Sequence, residues 1–130
     1  MGVINQNLCY FCGVQEESHQ HLFFECSYSL AFIQAVSDWC KVGLPQIDCI
    51  KWWVDWRQSS MCRKKVVGVI LACSMYVIWS ARNTCRIEGY LHRPERLGQL
   101  VKKESISRLH NVEFKCNSSR VKQWLDDILH

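Results

Sequence analysis

The stretch CYFCGVQEESHQHLFFEC, residues 9–26, constrains this chain more than any other feature. It spaces Cys9, Cys12, His21 and Cys26 as C-x2-C-x8-H-x4-C. Three thiols and an imidazole are a donor set that Zn2+ takes in a tetrahedron. The C-x2-C pair offers two ligands from one tight turn, and Gly13 directly after it lets that turn close. His21 and Cys26 would come from a second short element. His19 competes with His21 as the imidazole, and His-x4-Cys matches known knuckle spacing better. Reduced structural cysteines beside a surface histidine, or a disulfide framework, are the other readings of the same residues.

A segment this short cannot bury a core of its own, so a cation would have to hold it. Zinc contributes about 10–16 kcal/mol of apparent binding free energy in small fingers, comparable with the whole stability of a domain, about 5–15 kcal/mol. Four protein ligands leave no open coordination position, which makes such a site structural and not catalytic.

The 130 residues are 48% hydrophobic, a globular composition sized for one domain. Nine cysteines are an odd number, and the first residues lack the basic and apolar regions of a secretory signal. An intracellular, reducing location is therefore expected, with nucleus or cytoplasm left open. There the scattered Cys40, Cys49, Cys62, Cys73, Cys85 and Cys116 read as small buried hydrophobes. The apolar run from Val66 to Trp79 falls short of the roughly 20 residues that span a bilayer and reads as a buried helix, so no membrane partner is expected.

Residues 1–28 read as a zinc knuckle and 29–130 as a helical region following it. Glu16, Glu17 and Ser18 precede a short helix that carries His21 and delivers Cys26. Ser27 or Ser29 is the expected cap of the next helix, whose Phe32, Ala35, Val36 and Trp39 share a face and which Gly43 and Pro45 stop. Asp48 to Trp56 reads as another short helix with Ile50, Trp53 and Val54 inward, and with Trp52 or Trp53 left for a partner. A third begins at Ser59 or Ser60, runs apolar on nearly all sides as a central helix does, and ends between Asn83 and Gly89. Pro94 suits a first helical turn, followed by Leu97, Leu100 and Val101. Ser118 or Ser119 caps a last helix with Val121, Trp124, Leu125, Ile128 and Leu129 inward. No strand alternation is visible. The expected fold is mainly α, a helical bundle with an N-terminal CCHC zinc knuckle.

Charge is unevenly spread. Residues 1–60 carry three basic and six acidic side chains, a net −3, and residues 61–130 carry thirteen and six, a net +7. Tyr10, Phe11, Phe23 and Phe24 around the ligands could stack on bases, but no Lys or Arg precedes Lys41, and phosphate binding depends on such cations. A small apolar shell around the metal is the better reading of these rings. Arg63, Lys64, Lys65, Arg82 and Arg86 are the first candidates for nucleic-acid contact, with Arg93, Arg96, Lys102 and Lys103 beyond them. A solvated helix surface, with Glu88, Glu95 and Glu104 interspersed, explains them equally well. Asp126-Asp127 lies in a helical pattern and lacks the strand hairpin of a polymerase palm. No nucleophile–base arrangement stands out, so no catalytic residue is expected.

The string C-Y-F-C-G-x-x-E-E-x-x-x-H-L-F-F-E-C resembles the zinc-binding domain that follows the reverse transcriptase in plant LINE-type non-LTR retrotransposons. Cys9, Cys12, Gly13, Glu17, His21, Leu22, Phe23, Phe24 and Cys26 match that pattern. Trp79-Ser80-Ala81-Arg82-Asn83 resembles the Trp-x-x-Arg-Asn signature of the tail in those elements. The likeness covers roughly residues 8–90. It implies that Cys9, Cys12, His21 and Cys26 ligate zinc, and that the partners are RNA or DNA or another element-encoded protein. It also makes the chain an N-terminally truncated form of that domain, without the reverse transcriptase and endonuclease domains. The expectation is a non-catalytic zinc-binding module assisting RNA or DNA binding. The alternative is a zinc-stapled protein-interaction module that binds no nucleic acid.

Overall fold

The computed structural model describes residues 7–44, 50–112, 116 and 118–130, with 50–53 as backbone only. Among them the chain is helical, without a strand. A loop over residues 7–17 leads into a π-helical turn, His21–Glu25. Five α-helices follow: α1 Ser27–Cys40, α2 Ile50–Gln58, α3 Met61–Glu88, α4 Pro94–His110 and α5 Ser119–Leu129.

The central packing is α4 against both α1 and α3. Helix α1 brings Phe32, Val36 and Cys40, spaced four apart, and α4 brings Leu97, Val101 and Leu109. Their crossing is close because α4 carries Gly98 there. A Cβ on Gly98 would sit 3.0 Å from the Ala35 Cβ. Helix α3 buries Val66, Val67, Ile70, Cys73, Ser74, Val77 and Ile78, and the Ser74 hydroxyl donates to the Ile70 carbonyl at 2.7 Å. One buried cluster joins Phe32, Val36, Cys40, Val66, Ile70, Cys73, Val77, Ile78, Leu97, Val101 and Leu109 to Cys9, Leu22 and Cys26 of the front segment. Knuckle and helices share an interior.

Local chemistry explains the helix ends. Ser60 caps α3 by accepting from the Arg63 amide, and Gly89 closes it at φ 67°. Pro94 occupies the first turn of α4. Ser118 caps α5, which two indoles tie to α1. Trp124 Nε1 donates to the Cys40 carbonyl at 2.7 Å, and Trp39 Nε1 donates to the Ile128 carbonyl at 3.3 Å.

Five expectations need correction. Cys26, not Ser27 or Ser29, stands at the N-cap of α1. Ser29 is buried and turns its hydroxyl back to the Leu22 carbonyl, because the π-helical turn leaves that acceptor facing it. Lys41, in the left-handed conformation at φ 58°, ends α1 before Gly43. Val54 is exposed, and the side chains of Ile50, Trp52 and Trp53 lie outside the described residues. Helix α3 is not surrounded: Met75, Tyr76 and Trp79 face solvent. At 28 residues it is also long and apolar enough, by length and composition, to cross a membrane, although one face of it forms the core. Cys62 is buried as expected but bonded to Cys116 in a disulfide, with Cα atoms 5.6 Å apart.

Candidate metal centre

The loop that carries Cys9 and Cys12 is pinned by an isolated antiparallel bridge between Leu8 and Glu16. The Cys9 amide donates to the Gln15 carbonyl and the Gly13 amide to the Cys9 carbonyl, both at 2.8 Å. Gly13 adopts φ 67°, a conformation glycine reaches at little cost, and so the turn expected after Cys12 closes.

His21 and Cys26 come from the π-helical turn. Its amides bond five residues back, and the Cys26 amide donates to the His21 carbonyl at 2.7 Å. In an α-helix, positions five apart point about 140° away from each other. The i→i+5 closure returns Cys26 over His21. The Ser18 hydroxyl accepts from the His21 amide at 3.0 Å and holds the start of that turn.

These elements bring Cys9, Cys12, His21 and Cys26 together, with one donor atom from each within 4.8 Å of all the others. Cys9 Sγ lies 3.8 Å from Cys26 Sγ, and Cys12 Sγ lies 3.4 Å from His21 Nε2. A tetrahedral zinc with ordinary bond lengths separates two sulfurs by about 3.8 Å and a sulfur from a nitrogen by about 3.5 Å. Cys9, His21 and Cys26 are buried and Cys12 partly so. His19 lies outside the cluster, stacked on Phe23 with ring centroids 6.4 Å apart.

The surroundings suit metal-bound thiolates. Burial raises the Cys12 thiol, but the Gln15 and Val14 amides, with His21 and Cys9, lower it further, to about 6. Burial dominates at Cys26 and pushes it up to about 11, against the Ser29 and Tyr28 amides at the start of α1. A cation bound beside both sulfurs would remove that penalty. His21 Nδ1 is buried without a hydrogen-bond partner among the described residues, so the imidazole lacks the outer acceptor that many metal-bound histidines have.

The aromatic residues mostly serve packing. Phe11 meets Tyr28 with centroids 4.6 Å apart, and Phe11 and Phe23 pack on the core. Tyr10 supports a cation. The Arg82 guanidinium lies 5.0 Å from the Tyr10 ring and 5.2 Å from the Trp79 ring. It donates to both Glu17 carboxylate oxygens at 2.9 Å and to Asn83 Oδ1 at 3.0 Å.

The candidate nucleic-acid residues are spread along α3. Arg63, Lys64 and Lys65 occupy its first turn and Arg82 and Arg86 its last two, about 28 Å away from Arg63 to Arg82. The Arg63 guanidinium lies 5.5 Å from the Trp124 ring, and Lys64 Nζ lies 5.5 Å from the Trp56 ring. Lys65 and Arg86 are exposed. The arginine clamp escapes sequence reasoning on residue spacing, because Glu17 and Arg82 are 65 positions apart. Their one shared signal is that both fall in the two matched strings described above.

Compared with known protein families, with curated proteins and with solved structures, the chain matches none.

Proposed function

We propose that this chain is a non-catalytic zinc module, similar to the domain that follows the reverse transcriptase in plant LINE-type retrotransposons, and that it assists RNA or DNA binding. The observation that carries the zinc assignment is the pair of separations, 3.8 Å between sulfurs and 3.4 Å between sulfur and nitrogen, at four clustered donors. When bound, zinc would join the loop at residues 9–12 to the turn at residues 21–26. All four positions around it would be taken by the protein, which suits a structural role. The family resemblance draws support from the clamp: Glu17 of the first string pairs with Arg82 of the second, and Arg82 in turn meets its own neighbours Trp79 and Asn83.

A second reading, a zinc-stapled protein-interaction module, is favoured by one observation. Met75, Trp79 and Ile87 are exposed on α3. Metal analysis of the purified protein and a low-salt titration with RNA and DNA test the two readings. About one zinc per chain with salt-dependent binding is the expected result. Unchanged zinc content in Cys12→Ser would overturn the ligand set, and zinc without nucleic-acid binding would leave the interaction reading.

A further inference from the structure

We infer that the cleft between α3 and α4 seats a base of single-stranded nucleic acid. This rests on the nucleic-acid reading above and moves the contact away from Arg63, Lys64 and Lys65. The cleft encloses about 500 Å³, within the range of sites that hold small ligands, about 300–1,000 Å³.

Its walls carry the chemistry a base and its phosphates require. Tyr76 of α3 and Tyr90 of the following loop line it, with 62% and 56% of their surfaces exposed. Aromatic rings left in water beside an apolar floor, here Val77 and Leu97, are the platforms on which unstacked bases lie. Ser80 and Thr84 also line the cleft, and a hydroxyl can donate to or accept from a base edge. Lys103 and Arg108 line the α4 side. Glu104 pairs with Arg108 at 3.2 Å, and both stay half-exposed. Over its whole length α4 carries Arg96, Lys102, Lys103 and Arg108 against Glu95 and Glu104, so the helix has a net positive charge that favours phosphates. The knuckle, with Glu16, Glu17 and Glu25, does not.

The site is held open by its own structure. Gly89 turns the chain off α3 at φ 67°. The Tyr28 hydroxyl donates to the His92 carbonyl at 2.6 Å, fixing the loop to α1. His92 in turn meets the Tyr90 ring edge-on, with centroids 4.7 Å apart. A duplex keeps its bases paired and stacked, and it cannot place one here without extruding it.

The test is fluorescence anisotropy of the zinc-loaded full chain with labelled oligouridylate, oligothymidylate and a duplex of equal length. Single strands are expected to bind more tightly than the duplex. The uridylate and thymidylate arms separate RNA from DNA. Tyr76→Ala and Tyr90→Ala should each weaken binding about tenfold, as loss of one stacked base does, while the Tyr→Phe variants retain it. Lys103→Gln should lower the slope of log affinity on log salt by about 0.7. Helicity and zinc content of each variant show that it is folded. Absence of any single-strand binding at low salt would sink both this site and the nucleic-acid reading. Binding that survives both Tyr→Ala changes but fails when Arg63, Lys64 and Lys65 become Gln would overturn the cleft alone.

Discussion

Arg82 and Glu17 form a two-pronged ion pair, with Nε and a terminal nitrogen each 2.9 Å from a carboxylate oxygen. Both side chains are more than four-fifths shielded from solvent. The pair fastens the end of α3 to the loop that carries Cys9 and Cys12. It also gives Arg82 a partner inside the molecule before any phosphate arrives.

Arg82→Lys should therefore destabilise the zinc-loaded protein nearly as much as Arg82→Ala, by about 2 kcal/mol in urea unfolding. Lysine keeps the charge but loses the planar fork that matches a carboxylate, and hydrogen bonds to charged groups contribute about 1.5–3 kcal/mol. Full rescue by lysine would show that charge alone matters there.

His21→Ala and Cys26→Ser should each abolish stoichiometric zinc, whereas His19→Ala and Cys85→Ser should leave it in place. His19 and Cys85 lie outside the four-donor cluster. Chelation of the wild type should loosen the core as well, because Cys9 and Cys26 are packed among its buried residues. Metal content and amide hydrogen exchange check both statements.

Zinc affinity should fall as pH falls, because protons compete for the thiolates. In the metal-free protein, Cys12 at about 6 is largely ionised at neutral pH, whereas Cys26 at about 11 is not. Loading near pH 7.5 should therefore release a proton from Cys26 but almost none from Cys12, which keeps the total below the three protons that three neutral thiols would give. Linkage also fixes the sign for the metal-free fold. The Cys12 contribution is complete above its ordinary value of 9.0 and is lost as pH drops through about 6. Calorimetry in buffers of different ionisation enthalpy reads the proton count.

Gly98→Leu should cost several kcal/mol, in the range of severe overpacking. Even the first added carbon meets Ala35 at 3.0 Å. Gly98→Ala sets a helix-propensity gain of about 1 kcal/mol against that contact and should fall between the two. Chemical denaturation of the three proteins gives the order.

Cys116→Ser should lower stability by up to about 4 kcal/mol under non-reducing conditions and change little under reducing ones. The Cys62–Cys116 bond spans a separation of 54 residues, and loop-closure entropy sets that ceiling. Thiol titration with and without reductant measures the bond directly.

The metal cluster was legible because its four donors lie in one short stretch, so spacing alone encodes the geometry. The Ser60, Ser118, Gly89 and Pro94 helix boundaries were legible for a similar reason, since caps act within a turn. Long-range pairings were not. Nothing local to Glu17 announces Arg82, and nothing in the pattern around Cys62 separates a buried thiol from one bonded to Cys116. Helix α3 was misjudged because an apolar run does not say which face goes unpaired, and Met75, Tyr76 and Trp79 remain in water.

The interior shared by Cys9, Leu22 and Cys26 with Phe32 and Ile70 bears on how such a chain can be recombined. A finger with its own small core can be cut out and grafted elsewhere like a bead on a string. Here excision would leave an oily wound on the bundle and strip the coordinating loop of its floor. The four donors and the helices are bound to be inherited together.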